Sequence, residues 1–511
     1  MPSTPKQGFG EASCMPNLSK SKLIAFRQCP KRLWLVLHRP ELAVAPPGQE
    51  ARFQSGYAVG EIARRLYDTD GDAALIDIAT EGFPGAFGRS RELLDDGNRI
   101  VFEAGLEAKG ALAFADVMIP LRVRKSGLKW KMVEVKSSGS VKDYHRDDLA
   151  VQASVASWMG VDLQEVCLAH IDGKWVYPGA GDYRGLLKEV DLTAEVKSRE
   201  PEVAQWVREA QAVATQTKEP EVATGDQCFN PFHCEFCEYC HQGQKQPEFP
   251  LDWLPRLQAR RKGALIDEGI DDLRNAPDNL LTPLQRRVRD CSVSLEPYFN
   301  APEARKMVRV AQEPYRFLDF ETVNFTVPIW AGTRPFAQIP FQFSLHTIGR
   351  SGELQHEDFL DLAGDDPSRR LAEALIRSCG ERGSVFVYSA FEKRVMTDLA
   401  ARYPDLAPAL EALMQRLFDL KPVAAATYYH PSMCGSWSIK KVLPAVAPHL
   451  DYGQLDGISD GGTAMEAFHE AIDVRTSAER RDEIQRQLLA YCKLDTLAMV
   501  ELWRFFSAAG R

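Results

Sequence analysis

Cys228-Phe-Asn-Pro-Phe-His-Cys234-Glu-Phe-Cys237-Glu-Tyr-Cys240 sets four thiols at C-x5-C-x2-C-x2-C spacing in a short aromatic stretch. Thiolates this close suit a tetrahedral zinc ion or an iron–sulfur cluster. A disulfide framework is the competing reading. The chain opens on no signal-peptide pattern and is too long to need stapling, so reduced thiols in a cytoplasmic setting are expected. The stretch also divides the sequence, because strand-and-helix patterns of two different kinds lie on either side. An α/β fold in two domains is expected.

The bulk numbers fit that division. At 511 residues, 45% hydrophobic and 26% charged, the chain has material for several cores, and no apolar run reaches the ~18 residues of a membrane span. The formal charge of −9 does not advertise a nucleic-acid binder. Basic residues are instead local: Lys20, Lys22, Arg27, Lys31, Arg32 and Arg39 fall in 18–39 with no acid among them, and Arg260 and Arg261 lie in a second basic region. The expected organisation is a disordered tail over 1–17, a first domain over 18–243, a helical basic linker over 244–312 and a second domain over 313–511. Residues 183–217 read as helical.

In the first domain, Leu112-Ala-Phe-Ala-Asp116-Val-Met-Ile and Lys129-Trp-Lys-Met-Val-Glu134-Val-Lys136 read as strands. Positions i and i+2 of a strand share a face, so Glu134 and Lys136 project together. Carboxylates on neighbouring strands, Asp116 and Glu134, suit Mg2+, and a lysine beside them can orient water and stabilise charge on a phosphate. E-x-K by itself is weak: Glu107-Ala-Lys109 and Glu195-Val-Lys197 also occur. A salt bridge at a strand end is the plain alternative.

Ser21-Lys-Leu-Ile-Ala-Phe-Arg-Gln-Cys29-Pro30-Lys-Arg-Leu-Trp resembles the opening of RecB-type nucleases of the PD-(D/E)xK superfamily, in the branch that includes CRISPR-associated iron–sulfur exonucleases. The resemblance implies a restriction-endonuclease-like α/β core. It makes Asp116 and Glu134 metal ligands, Lys136 catalytic and Gln152 the family's glutamine. It also implies a 4Fe-4S cluster held by Cys29, Cys228, Cys234 and Cys240, with Cys237 as an alternative ligand and Zn2+ as the alternative cofactor. The tyrosine usual after the glutamine is absent, with Ala156 and Trp158 in its neighbourhood. The usual early histidine is absent too, with Glu61 the nearest polar residue.

In the second domain, Phe317-Leu-Asp319-Phe-Glu321 is the only D-x-E of the sequence and follows a strand pattern. Tyr491 and Asp495 stand at i and i+4 of a long terminal helix. Between them, Val385-Phe-Val-Tyr-Ser389-Ala-Phe-Glu392 runs from strand into helix. These pieces, in this order, resemble the tyrosine-bearing DEDD exonucleases of the RNase H-like superfamily. The resemblance implies that Asp319, Glu321, Glu392 and Asp495 hold two Mg2+ or Mn2+ ions and that Tyr491 positions water. Glu392 and Ser389 stand where that family has Asp and Asn. His346 reads as a core or edge histidine, and Asp419 and Trp437-Ser-Ile-Lys440 as either groove lining or packed loop. The combination resembles the bacterial domain-of-unknown-function family 2779. The expected function is a metal-dependent nuclease acting on single strands or ends of DNA, with RNA possible and with Lys31, Arg32, Arg260 and Arg261 contacting phosphates; the alternatives are a nucleic-acid-binding scaffold with one or both sites inactive, or a zinc-stabilised interaction module.

Overall fold

The computed structural model describes residues 16–45, 49–123, 127–243 and 247–508. The tail expected over 1–17 falls outside them up to residue 15. The chain divides into two units, residues 1–244 with 325–336, and residues 245–324 with 337–511.

In the first unit, β1 (Leu18–Ser19) leads into α1 (Lys20–Gln28) and α2 (Pro30–His38). Pro30 occupies the first turn of α2 and pushes its predecessor out of the helical region, so Cys29 is extended (φ −164°, ψ 123°). Next come α3 (Gln49–Tyr67), β2 (Ala74–Leu75) and α4 (Ile78–Asp96). The sequence reading contains no α4, because Gly82 and Pro84 break its pattern. Its signal lies at its ends, where Asp77 accepts from Ala79 N–H and Gly97 (φ 60°) closes onto Leu93 O.

The meander β3 (Val101–Ala108), β4 (Ala111–Val123), β5 (Gly127–Lys136) is antiparallel. Helix α5 (Asp143–Trp158) carries the chain to β6 (Leu163–Ile171), parallel to β5. The sheet runs β2-β3-β4-β5-β6-β7, with β1 beside β4 and β7 (Leu187–Asp191) at the edge. That edge strand corrects the helical reading of 183–217: the helices there are only α6 (Thr193–Ser198) and α7 (Glu200–Ala214). Pairing with β6, not local propensity, decides so short a polar segment. Helix α5 is buried from Leu149 to Ala156, which its small Ala and Ser residues permit. The cysteine stretch, ending in α8 (Cys237–His241), is tied to α1 by Gln28, whose amide donates to Gln227 O and Phe232 O, both at 2.7 Å.

The second unit opens with α9 (Ala259–Asp267), α10 (Pro283–Ser294), β8 (Tyr298–Phe299) and α11 (Ala301–Val308). The stretch expected as a linker is therefore built into this unit. Leu251, Leu254, Leu265, Leu273 and Leu281 share one apolar cluster, while Val288, Cys291, Ala304 and Val308 enter the main core. Extended segments and 3-10 turns separate the helices, so it is less helical than expected.

An antiparallel meander follows: β9 (Tyr315–Val323), β10 (Ile339–Ile348), β11 (Leu354–Leu360). Helix α12 (Ser368–Cys379) leads to β12 (Val385–Val387), parallel to β9. Helices α13 (Phe391–Arg402) and α14 (Ala407–Met414) lead to β13 (Leu417–Asp419), parallel to β12. The order is β11-β10-β9-β12-β13, or 3-2-1-4-5 counted within this sheet. After α15 (Leu420–Thr427) and β14 (Tyr428–Tyr429, paired with β8) come α16 (Ile439–Val446), α17 (Gly461–Ile472) and α18 (Ala478–Ala508).

Strand β9 alternates: Phe317 packs in the core containing Met499 and Phe506 of α18, while Leu318 and Phe320 pack with Leu371 and Val395. The position of α18 along the sheet is set by buried polar contacts to β10. Gln342 donates to Leu488 O (2.9 Å), and the Thr496 hydroxyl meets Ser344 Oγ (2.7 Å) and His346 Nδ1 (2.8 Å). His346 is thus a core histidine with a partner. Thr496→Val keeps the shape and removes that shared hydroxyl. Urea unfolding is expected to show a loss of about 1–3 kcal/mol; an unchanged midpoint and slope would show that the contact does not hold the helix.

Candidate active sites

In the first unit, the β4–β5 ladder ends at the Val117–Val133 pair. Asp116 lies one residue beyond it, and its Oδ2 accepts the Val135 N–H at 2.6 Å. Glu134 is buried, and both Lys136 Nζ (2.6 Å) and Lys20 Nζ (2.9 Å) reach its Oε1. Asp148 of α5 bonds Lys136 as well and lies 3.2 Å from Lys20 Nζ. Gln152, one turn after Asp148, is fully buried, and its polar atoms and Glu134 Oε2 have no partner of hydrogen-bonding geometry. The structure therefore brings Asp116, Glu134, Lys136 and Gln152 together, as the sequence reading requires.

Electrostatics separate the two acids. Burial, then the charge of Glu134, push Asp116 well above the usual carboxylate range. Burial acts on Glu134 too, but Lys136 and Lys20 outweigh it and hold Glu134 well below. Burial opposes the charge of Lys20, yet Asp148 and Glu134 raise it to about 12. A cavity of about 250 Å³ opens beside Asp116 and Lys136, lined also by Tyr57, Arg64 and Glu103. Glu103 holds a left-handed conformation (φ 56°) in the middle of β3, with its carboxylate 3.8 Å from Arg64. For a residue with a Cβ that backbone costs about 1 kcal/mol or more and is concentrated at functional positions.

Sequence reasoning missed Lys20, Asp148 and Glu103 here. Asp148 was findable, since it stands at i−4 to Gln152 on one helix face. Lys20 and Glu103 carry no spacing signal, because tertiary packing delivers them. Glu61 is exposed and does not line the cavity; Arg64 and Glu103 occupy that side. Ala156 is buried in the core of the unit, and Trp158 donates to Glu200 (2.7 Å), away from the acids.

The thiols of Cys29, Cys228 and Cys234 lie within electrostatic reach of Cys240. Cys237 Sγ is 3.5 Å from His241 Nδ1. The ten described cysteines form no disulfide. Lys31 and Arg32, expected on a phosphate-binding strip, are paired with Glu219 and Glu235 around this stretch. Arg260 is exposed on α9, and Arg261 donates to Leu280 O.

In the second unit, strand parity turns Asp319 and Glu321 toward α18, which presents Tyr491 and Asp495 one turn apart. Glu392, in the first turn of α13, accepts from Ser389 Oγ (3.3 Å) and reaches Asp319. Asp319, Glu321, Tyr491 and Asp495 line a cavity of about 440 Å³, with Lys440 and the Gly461-Gly462 start of α17 on its wall. Tyr452 donates to Asp495 Oδ1 at 2.6 Å. Ligand atoms of Asp319, Glu321 and Cys492 all lie within 4.8 Å of one another. Of the remaining candidates, Asp419 caps α15 through Lys421 N–H, and Trp437 is buried with its indole donating to Tyr428 O (2.8 Å). Of that group, Ile439 and Lys440 line the cavity. Tyr452 and Cys492 were not read from the sequence.

No ion pair balances these acids among the described residues. Burial, then Asp495, Glu392 and Glu321, drive Asp319 well above the normal range. Burial and Asp495 raise Glu321 to about 8, and burial raises Glu392 to about 7 and Asp495 to about 6. Four carboxyls raised by burial, two of them (Asp319 and Glu321) also by others of the four, form an electrostatic arrangement that a divalent cation relieves, and their hard oxygens suit Mg2+ or Mn2+.

A family model described as "Domain of unknown function (DUF2779)" matches residues 316–438. The span contains Asp319, Glu321 and Glu392 and stops before Lys440, Tyr491 and Asp495. No curated protein matches the chain. A solved structure titled "Crystal structure of SSO0001" aligns at 15% identity over 44% of this chain and 84% of its own, with a TM-score of 0.19.

A carboxyl raised on folding keeps its proton in the folded state, so the folded state loses ground as pH climbs from the unfolded value toward the folded one. For Glu321 that window runs from 4.5 to about 8. In EDTA, Glu321→Gln is therefore expected to be more stable than the parent. The gap should widen from pH 5 to pH 8, to the order of 2 kcal/mol, and shrink when Mn2+ is added to both proteins. A gap that stays constant with pH would contradict the crowding.

Proposed function

We propose that this chain is a metal-dependent phosphodiesterase acting on nucleic acid, with a hydrolytic site in each unit. The observation that carries the reading is the gathering of Asp319 and Glu321 from strand β9, Asp495 from α18 and, reaching Asp319 from α13, Glu392, at one cavity and without a balancing basic ion pair among the described residues. The sheet order 3-2-1-4-5, with its first strand carrying the D-x-E pair, supports an RNase H-like exonuclease for the second unit. The parallel β5–α5–β6 crossover, with Asp116, Glu134, Lys136 and Gln152 meeting beneath it, supports a RecB-like nuclease for the first.

In the second unit the four carboxylates would hold Mg2+ or Mn2+, which when bound lowers the pKa of water and offsets charge at the phosphate. Tyr491 and Tyr452 orient the attacking face: Tyr452 fixes one oxygen of Asp495, and Tyr491 stands over the cavity one turn before it. In the first unit Lys136 sits between Glu134 and Asp148, where it stabilises negative charge on a bound phosphate. Tyr57 is 73% exposed on the cavity lip and Phe53, one helical turn before it, is 53% exposed, which suits stacking on unpaired bases. Single strands or ends of DNA are the substrate class we favour, with RNA as the alternative.

For the cysteine stretch we infer a 4Fe-4S cluster, with Zn2+ as the alternative, since its thiols are close in sequence and those of Cys29, Cys228 and Cys234 lie within electrostatic reach of Cys240. Cys29, Cys228, Cys234 and Cys240 are the ligands we infer, with Cys237, within electrostatic reach of Cys228, as the alternative. No described helix is long and apolar enough to cross a membrane.

A second reading applies to the first site alone. Lys20 and Lys136 already neutralise Glu134 and Asp148, which favours a structural ion-pair cluster as the alternative for this site. Digestion of end-labelled single strands with Mn2+ separates the two. Asp319→Ala is expected to abolish release of 3′-terminal nucleotides, and Glu134→Ala to remove the remaining cleavage. Loss in Asp319→Ala only would make the first site structural. Unchanged digestion in both would end the proposal. Anaerobic preparations should be brown, with absorption near ~400 nm that Cys240→Ser removes; a colourless, zinc-containing protein would overturn the cluster.

A further inference from the structure

Lys440 has no counterpart in the role assigned above to the carboxylates and tyrosines, yet it lies on the wall of their cavity. Its backbone is anchored on both sides. Trp437 is buried and bonded to Tyr428 O, and Val442 and Leu443, two and three residues on, are fully buried. Its side chain crosses two aromatic faces, with Nζ 5.1 Å from the Tyr491 ring centroid and 5.3 Å from that of Tyr452. The ammonium donates to Ser459 O at 2.6 Å.

An ammonium free to move in an acid-lined cavity would fall onto a carboxylate. This one is held off by a carbonyl and two rings, and among the described residues it makes no ion pair. The first site differs, since its lysines bond directly to Glu134 and Asp148. The carboxylates of the second cavity thus stay available to cations, and the lysine stays available to an anion. Gly461 and Gly462, two and three residues after Ser459, line the same cavity and contribute only backbone to it.

We propose that Lys440 is a phosphate-contacting catalytic residue of the second site, binding the phosphate of the terminal nucleotide. This rests on the phosphodiesterase reading of that cavity. An ammonium fixed there stabilises charge that grows on the phosphate oxygens during in-line attack, and it keeps hold of the nucleotide 5′-phosphate after cleavage.

The test compares the full-length protein with Lys440→Met and Lys440→Arg, using thymidine 5′-monophosphate as probe in the presence of Mn2+. Calorimetry should show Mn2+ affinity unchanged in both variants. Nucleotide binding should weaken about tenfold or more in Lys440→Met and recover in part in Lys440→Arg. With a digestible strand, kcat should fall ~10²-fold or more in Lys440→Met, with KM moving less. Equal nucleotide binding by the parent and Lys440→Met, no Mn2+-dependent nucleotide binding by the parent, or loss of Mn2+ binding in Lys440→Met would each overturn the inference. If the parent digests no strand but binds the nucleotide through Lys440, the nuclease reading fails while the phosphate contact stands.

Discussion

One hydroxyl fixes the geometry of the second site. Thr496 touches Ser344 and His346 of β10, and it follows Asp495 directly on α18. A helix turns about 100° per residue, so fixing Thr496 against the sheet fixes the direction of Asp495, and that of Tyr491 one turn earlier. Strand parity does the same for Asp319 and Glu321. The cavity is where these two periodicities meet, and sliding α18 by one residue would turn its acid elsewhere. The apolar face of α18, with Met499 and Phe506 in the core, and these polar contacts agree on the same register.

The two sites treat charge in opposite ways. In the first, lysines from α1 and β5 lie on the acids, and Glu134 keeps its charge despite burial because Lys136 and Lys20 are bonded to it. In the second, acids face acids, and the single lysine of the wall is kept apart by Ser459 and two tyrosines. A site of the first kind is stable without a cation, whereas one of the second kind is strained without it. Cation binding and folding should accordingly be coupled more tightly in the second unit.

Which parts of this were legible in the sequence follows from the range of the forces involved. Period-two strands gave Asp319 with Glu321 and Glu134 with Lys136, and period-3.6 gave Tyr491 with Asp495, because parity and helix pitch are local rules. The break at Cys29-Pro30 was legible for the same reason. Lys20, Glu103 and Tyr452 were not, since each arrives from an element whose own pattern says nothing about its destination. The edge strand β7 and the packed 244–312 stretch were misread because partners outside the segment decide them, namely β6 in one case and the leucine cluster with the core of α18 in the other.

The proposal that the second cavity binds cations draws support from what the same unit does with its other acids. Asp366 is paired with Arg402, Asp361 and Asp365 with Arg370, and Glu470 with Arg480. These structural carboxylates come with an arginine, even where water could solvate them. Asp319, Glu321, Glu392 and Asp495 are the more deeply buried and have none. Two like charges ~5 Å apart repel by about 3 kcal/mol at an effective dielectric near 20. Several such pairs are comparable with the roughly 5–15 kcal/mol that holds a domain folded. Protons can relieve part of that at neutral pH, which is why the carboxyls are raised, but a protonated set has no structural purpose that Asn and Gln would not serve with less cost. The arrangement makes sense when two or more positive charges are brought in from outside, and a divalent ion supplies them in one ligand.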